Sequence, residues 1–378
     1  MTMINGPYNL VRLEGKIGAI KKTFYLFMDK HMPPHLQSEC PVLRSTHIRN
    51  YLIDEFDKLK KTNKKVDFFL EEFPDVSGDL LKISGIYLDQ MRNMFERIFK
   101  FDFKKNKVTH SSEFPNVRFH YMDIRPYFTF KVANPFGIYY EIGDFIYGLP
   151  KGKMKSEDVN TIKNGLDIFH SQLKIIYDVL FSKPQEVIKT PIIRKFKNVI
   201  NYDKDEGTNA IKYLVNKMRF LYKNKNVQDE LNNIIETDMH GLFDQFSKIV
   251  DHLYEKLNSS PTSEQILEIY QQYENIVLNI FCLIIDIYFL RRSLDKDYIS
   301  TIIAYTGGLH TSNYLKYLIG KFDFKITHVF YSNISSISTL NKKISSLQNP
   351  FEILDLFMPE EKDFYQCVDV SNFPKNFA

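Results

Sequence analysis

The sequence predicts an α/β protein: a mostly parallel central sheet flanked by helices, with a large helical insertion before the last strands. Three observations carry this reading. Short β-type runs alternate with helical ones through the first third of the 378 residues, the pattern of α/β units. From about residue 156 to 294 the periodicity is helical only. Two strand-type runs then return, too few for a stable sheet of their own, so they must join the first set.

Taken in order, "TFYLFMD" (Thr23 to Asp29) is the first strand, followed by a loop with Pro33, Pro34 and Pro41. "STHIRNYLIDEFDKLKK" then sets Ile48, Leu52, Phe56 and Leu59 at helical spacing behind a Ser/Thr start signal. "KVDFFLEEFP" is a second strand, closed by Pro74. "GDLLKISGIYLDQMRNMFERIFK" resumes a helix with Leu81, Tyr87 or Leu88, Met91 and Phe95 near one face, and "VRFHYMDIRP" is a third strand. The helical middle divides into Asp158 to Phe181, Gly207 to Tyr222, Val227 to Leu257 as a long or broken helix, and "PTSEQILEIYQQYENIVLNIFCLIIDIYFLRRSL". In the last, Thr262 and Gln265 have the spacing of a capping box. Strand Thr301 to Tyr305, helix Ser312 to Phe322 and strand Lys325 to Tyr331 follow. The expected organisation is an N-terminal part of the core (1–150), a helical insertion (151–296), a part completing the sheet (297–334) and a tail segment without clear period (335–378).

Composition narrows the classes. Hydrophobic residues are 44 % and aromatics 15 %, which excludes a disordered chain. Fifty Lys and Arg against 46 Asp and Glu leave a net charge of only +4, which disfavours a dedicated nucleic-acid binder. Phe101 and Phe103, interleaved with lysines in "KFDFKKNK", could stack on bases, but a helix end and a solvated loop explain that run as well. Cys40, Cys282 and Cys367 form no CxxC pair, so neither a disulfide framework nor a zinc ribbon is expected, and a reducing compartment fits best. The apolar stretch Ile276 to Leu290 is short for a bilayer and is interrupted by Asn279 and Asp286. It reads as a buried helix, with no membrane insertion.

Chemistry concentrates where strands end. His31 and His35 follow the first strand, Glu71 and Glu72 the second, Asp123 and Arg125 the third, and Gly307, Gly308 and His310 the late one. The carboxyl ends of neighbouring parallel strands share one rim, where ligands bind in open α/β sheets. An imidazole beside a carboxylate can act as a general base, with an arginine stabilising negative charge. Two imidazoles and a carboxylate are equally the donor set for a divalent transition metal, with His31, Glu71 and His310 as ligands. Each element also has an ordinary reading: a loop histidine for His31, an ion pair for Asp123 and Arg125, a plain turn for the glycines. Glu71 and Glu72 point to opposite faces, so only one is expected in a shared pocket. Neither GxxxxGK[ST] nor GxGxxG occurs, so no phosphate loop is indicated.

Together "FYLFMDKHMPPHLQSECP", "VDFFLEEFP", "FHYMDIRPYF", "IIDIYFLRRSL" and "IIAYTGGLHTSNYL" resemble the successive motifs of an uncharacterised protein family of giant nucleocytoplasmic large DNA viruses. The resemblance implies synthesis in the host cytoplasm, at the virus factory, with virion packaging and virion-protein partners as further implications. More distantly, the motif order is similar to the erythromycin esterase and TraB/Tiki-like superfamily, which implies an α/β core with helical additions and a polar cleft of histidines and glutamates. That similarity maps the early acidic-x-x-His motif onto Met28 to His31, the strand-end glutamate onto Glu71 or Glu72, and the late histidine onto His310. The chain departs from the pattern with Met28-Asp29 in place of Gly-Glu, which leaves the first acidic role open to Asp29. Two readings stand: a hydrolase-like protein, metal-dependent or not, using His31, Glu71, Glu72, Asp123, Arg125 and His310, and a catalytically degenerate virion or virus-factory assembly protein.

Overall fold

A computed structural model of the chain describes residues 2–31, 40–74, 87–102, 107–128, 135–183, 195–196, 199–200, 204–360 and 364–377. Its strands are β1 (Met3–Asn5), β2 (Asn9–Ile17), β3 (Ile20–Asp29), β4 (Thr46–His47), β5 (Val66–Leu70), β6 (Phe101–Asp102), β7 (Lys107–Val108), β8 (Val117–Tyr121), β9 (Lys195–Phe196), β10 (Val199–Ile200), β11 (Thr301–Gly307), β12 (Lys325–Val329) and β13 (Cys367–Asp369). The helices are α1 (Ile48–Leu59), α2 (Tyr87–Ile98), α3 (Pro135–Tyr147), α4 (Ser156–Leu180), α5 (Lys204–Arg219), α6 (Lys225–Ile234), α7 (His240–Leu257), α8 (Ser263–Leu294), α9 (Gly308–Phe322), α10 (Ile337–Ser346) and α11 (Pro350–Asp355). Two compact units result: Met1–Asp123 with Tyr288–Ala378, and Ile124–Ile287.

The first unit holds the main sheet, six strands in the order β12-β2-β3-β11-β5-β8. Strands β3, β11, β5 and β8 are mutually parallel. The β2–β3 and β12–β2 pairs are antiparallel. β11 therefore lies between β3 and β5, so the late strand is central rather than an edge addition. The N-terminal β2, which the sequence reading left unassigned, forms a nine-pair hairpin with β3. Its run "NLVRLEGKI" carries charges within a strand, so alternation is broken and the period-2 signal is weak.

Alternate residues divide the sheet into two faces. One face carries Tyr25, Phe27, Val66, Phe68, Leu70, Ile303 and Tyr305, and packs with α1 and α2 in one core. Phe56 touches Phe68, Phe95 and Phe114 there, with ring centroids 5.7 to 6.0 Å apart. Truncating such a ring costs about 3–5 kcal/mol. On the other face Phe24 and Phe69 meet Phe289 of α8, which in turn packs on Tyr314 of α9 at 4.3 Å. Buried Lys22 of β3 donates to the carbonyls of Ser293, Lys296 and Ile299. An ammonium there satisfies acceptors that the end of α8 leaves open and complements its dipole.

The tail belongs to this unit. β13 pairs antiparallel with β1, and Val368, Val370, Phe373 and Phe377 enter the core with α1. Cys40 and Cys367 are joined by a disulfide across 327 positions, against the expectation of unpaired cysteines. Spacing shows local pairs such as CxxC and is silent on partners brought together by opposite ends of a chain.

Among its described residues the second unit is mainly helical, with a short antiparallel β9–β10 pair. α3, unassigned in the sequence reading, packs with α4. The third helix, expected to be long or broken, is interrupted by a π-helical turn, Ile235–Met239, between α6 and α7. The capping box of α8 is present: Gln265 N–H donates to Thr262 Oγ1, and Thr262 N–H to Gln265 Oε1. By contrast α1 is capped by His47, whose Nδ1 accepts from Arg49 N–H, rather than by the Ser/Thr before it. α8 is long and apolar enough to cross a membrane by length and composition, yet 61 % of its most apolar window is buried within the protein, as in a core helix.

Candidate functional site

Connections determine where this sheet can bind anything. β3 leads to α1 on one face, while β11 leads to α9 on the other, and the two strands are neighbours. Adjacent parallel strands whose connections leave in opposite directions open a crevice at their carboxyl ends. Asp29 ends β3, Gly307 ends β11, and Glu71 follows β5 with its N–H still bonded to Tyr305 C=O at 3.1 Å.

Glu71 is the hub. Its parity continues the Asp67 and Phe69 face, which points toward α9. Oε1 lies 3.0 Å from His310 Nε2. Oε2 lies 3.3 Å from His31 Nε2 and accepts the Gly307 N–H at 2.6 Å. Burial by itself raises a carboxyl pKa, but here the charges and hydrogen bonds of His310 and His31 prevail and hold Glu71 well below the usual carboxylate range. It is ionised.

His31 is held from both sides. Its backbone is left-handed, with φ 56°, a conformation that costs a non-glycine residue roughly 1 kcal/mol or more. The turn brings its N–H and its Nδ1 to Asp29 Oδ2, at 2.8 and 3.0 Å. Asp29 Oδ1 accepts from Tyr305 Oη at 2.8 Å. Burial lowers the imidazole pKa, yet Glu71 and Asp29 outweigh it and push His31 up to about 10. With a carboxylate on each ring nitrogen, His31 is an imidazolium at neutral pH.

The glycines serve space rather than unusual torsion. Gly307 has φ −60°, open to any residue, but a Cβ there would meet His31 Nε2 at 2.5 Å. A Cβ on Gly308 would collide with Tyr8 Oη and with Leu354. The pair thus lets an imidazole and a phenol rest on the main chain where α9 begins.

Of the residues expected in the site, His31, Glu71 and His310 meet, and Asp29 lies beside His31. Glu72 turns the other way, continuing the Val66, Phe68 and Leu70 face. There it accepts from Arg92 of α2 at 2.9 Å. Burial, with Asp89 and Asp123 nearby, outweighs Arg92 and raises its carboxyl to about 8. Asp123 donates its N–H to Glu72 C=O and belongs to that second group. Arg125 lies in the other unit, its guanidinium 5.9 Å from the ring centroid of Phe136. Asp123 follows β8, an edge strand one position beyond β5. His35 lies outside the described residues, as do Phe103, Lys104 and Lys105.

The arrangement was also expected to suit a metal. His31, Glu71 and His310 face one another as hydrogen-bonded ion pairs, with nitrogen and oxygen at 3.0 and 3.3 Å. Among the described residues no group of three or more His, Cys, Asp or Glu side chains is placed to hold a metal ion. The Nε2 atom of each ring faces Glu71, and His31 Nδ1 faces Asp29.

Tyr305 and Tyr8 escaped the sequence reading. A tyrosine inside an apolar strand is ordinarily core, and only the partner of its hydroxyl distinguishes it.

A model of a family of unknown function, DUF5847, matches residues 2–268 and 254–378. The chain belongs to this family. Two similar proteins of Acanthamoeba polyphaga mimivirus, "Uncharacterized protein R706" and "Uncharacterized protein R161", are each 32 % identical to it. The first match covers 99 % of this chain and 97 % of that protein, and the second 100 % and 98 %. "Uncharacterized protein R160" of the same virus is 31 % identical over 99 % of the chain. DUF5847 is thus an uncharacterised family with giant-virus relatives, as the motifs indicated. No solved structure matches this DUF5847 chain.

Proposed function

We propose that the DUF5847 chain is a hydrolase-like protein whose reacting centre is the His31–Glu71–His310 group. The observation that carries this is the position of Glu71, an ionised carboxylate between two imidazoles at the crevice of a parallel sheet. In this reading Glu71 orients the His310 ring through Nε2, and His310, once it has given up the charge it carries against Glu71, takes a proton from water. His31, a cation held by Asp29 and Glu71, stabilises negative charge as it develops on the substrate. It takes the role first assigned to Arg125. No metal enters these steps. The distant resemblance of the motif order to the erythromycin esterase and TraB/Tiki-like superfamily points the same way.

The test is hydrolysis of simple esters, amides and phosphate esters by the purified chain, with and without EDTA. Activity that resists EDTA and falls roughly 10²- to 10⁴-fold in His310→Asn supports the proposal. Turnover that is absent from every class, or equal in the variant, overturns it.

A second reading keeps the scaffold and drops the chemistry. Glu71 and His310 are only 6 % and 5 % exposed, and a closed ion-pair group of this kind also serves a virion or virus-factory assembly protein as an internal brace. A stoichiometric place in purified particles, with infectivity that survives His310→Asn, would favour it.

A further inference from the structure

On the proposed hydrolase reading, the reacting centre needs a donor for the oxygen that gains charge, and one is present in an unexpected place. Tyr8 is 2 % exposed, and among the described residues its Oη has no hydrogen-bond partner. A buried hydroxyl without a partner costs about 1–3 kcal/mol, so its retention calls for an explanation.

The position of that hydroxyl supplies it. The Tyr8 N–H is tied to Met28 C=O at 2.9 Å, one residue before Asp29. Its ring is braced by Phe364 at 5.2 Å. Oη rests on Gly308, the first residue of the 15-residue helix α9. The N–H groups of a first helical turn have no acceptor within the helix, and the helix dipole favours negative charge there. The N-cap, Gly307, contributes no side-chain acceptor. Burial and the charge of Asp29 raise the phenol, which stays a neutral O–H donor at neutral pH. Across the same two glycines, His31 Nε2 lies over Gly307.

We infer that Tyr8 Oη and the first backbone N–H groups of α9 form an oxygen-binding subsite, which receives the carbonyl oxygen of an acyl substrate beside the Glu71 centre. As water adds to the carbonyl carbon, the π electrons move to that oxygen, while the proton of water passes to His310. The tetrahedral oxyanion accepts from Tyr8 and the helix start, then re-forms C=O as the leaving group departs with the proton. No outside oxidant, reductant or co-reactant is required.

Two measurements on the full chain test this. The ¹³Cζ resonance of Tyr8, assigned by its loss in Tyr8→Phe, is followed while sodium acetate, a planar oxyanion probe, or neutral acetamide is added. In parallel, kcat/KM for p-nitrophenyl acetate is compared between the wild type and Tyr8→Phe. The expected result is a saturable shift with acetate and a fall of roughly 10²-fold in kcat/KM, the scale of one lost oxyanion donor. An unmoved resonance with unchanged kcat/KM in Tyr8→Phe, while His310→Asn is inactive, overturns the subsite and leaves the hydrolase reading standing. A shift with acetate in a chain that hydrolyses nothing sinks the hydrolase reading and leaves an anion-binding Tyr8 in support of the subsite. Tyr8→Phe removes a buried hydroxyl that has no partner among the described residues, so its melting temperature should equal or exceed that of the wild type.

Discussion

His310 Nε2 lies 3.0 Å from Glu71 Oε1, and both side chains are almost wholly buried. The two come from segments more than two hundred positions apart in the chain, and their contact joins the carboxyl ends of β5 and β11. An ionised carboxylate at this depth is tolerable because two imidazoles and one main-chain N–H surround it.

Glu71→Gln keeps the shape and removes the charge. A buried ion pair broken from one side leaves its partner uncompensated, a loss of about 3–5 kcal/mol. Because the amide still hydrogen-bonds, the lower end is expected, about 3 kcal/mol by urea unfolding at pH 7. A stability equal to the wild type would show that the two imidazoles do not depend on Glu71.

His31 makes stability depend on alkaline pH. Its folded pKa, about 10, lies above the ordinary value of 6.5. The contribution is therefore complete below about pH 6.5 and declines as pH rises, being lost through pH 10. Since the side chain is 36 % exposed, solvent screens part of it. The stability difference between wild type and His31→Asn should be flat from pH 5.5 to 6.5 and shrink toward pH 10. Glu71 gives the opposite trend, present above its unfolded pKa and lost in strong acid. A His31 ring that titrates near 6.5 by NMR would refute the pairing with Asp29 and Glu71.

Gly307→Ala probes the close approach of main chain and imidazole. The torsion suits alanine, so backbone strain is absent, and the new methyl acts only by displacing His31 from Glu71. A stability loss of about 1–3 kcal/mol is expected, as for overpacking, with a His31 pKa that falls toward 6.5. An unchanged His31 titration would mean that the ring does not lie against Gly307.

The Cys40–Cys367 bridge closes a very long loop. Loop entropy in the unfolded chain then favours the oxidised form, by roughly 6 kcal/mol on the usual scaling. Dithiothreitol should lower the melting temperature of the wild type and leave Cys367→Ser unaffected. Equal melting with and without reductant would show that the two thiols are not joined.

How much of this was legible beforehand varies with the type of interaction. Helical periodicity marked α1, α4, α5 and α8, because a helix repeats its apolar face within a few residues. Strand runs rich in Phe, Tyr, Ile and Leu marked β3, β5 and β11 for a similar local reason. β2 was missed, as its buried Arg12 and Asn9 break the apolar pattern while satisfying partners elsewhere in the unit. His31, Glu71 and His310 could be nominated because each stands at a strand end. Strand-end position alone could not separate Glu71 from Glu72, or exclude Asp123 and Arg125.

By itself the sequence determined the α/β class, the alternation of elements and the rim on which polar residues would gather, since these follow from local periodicity and turn chemistry. Tertiary structure alone decided that β11 enters between β3 and β5, that Glu71 rather than Glu72 faces α9, that the Tyr305 hydroxyl reaches Asp29 and that the Tyr8 hydroxyl lies against Gly308. The physical reason is that strand order and hydrogen-bond partners arise from contacts between distant segments, and no window of neighbouring residues contains them.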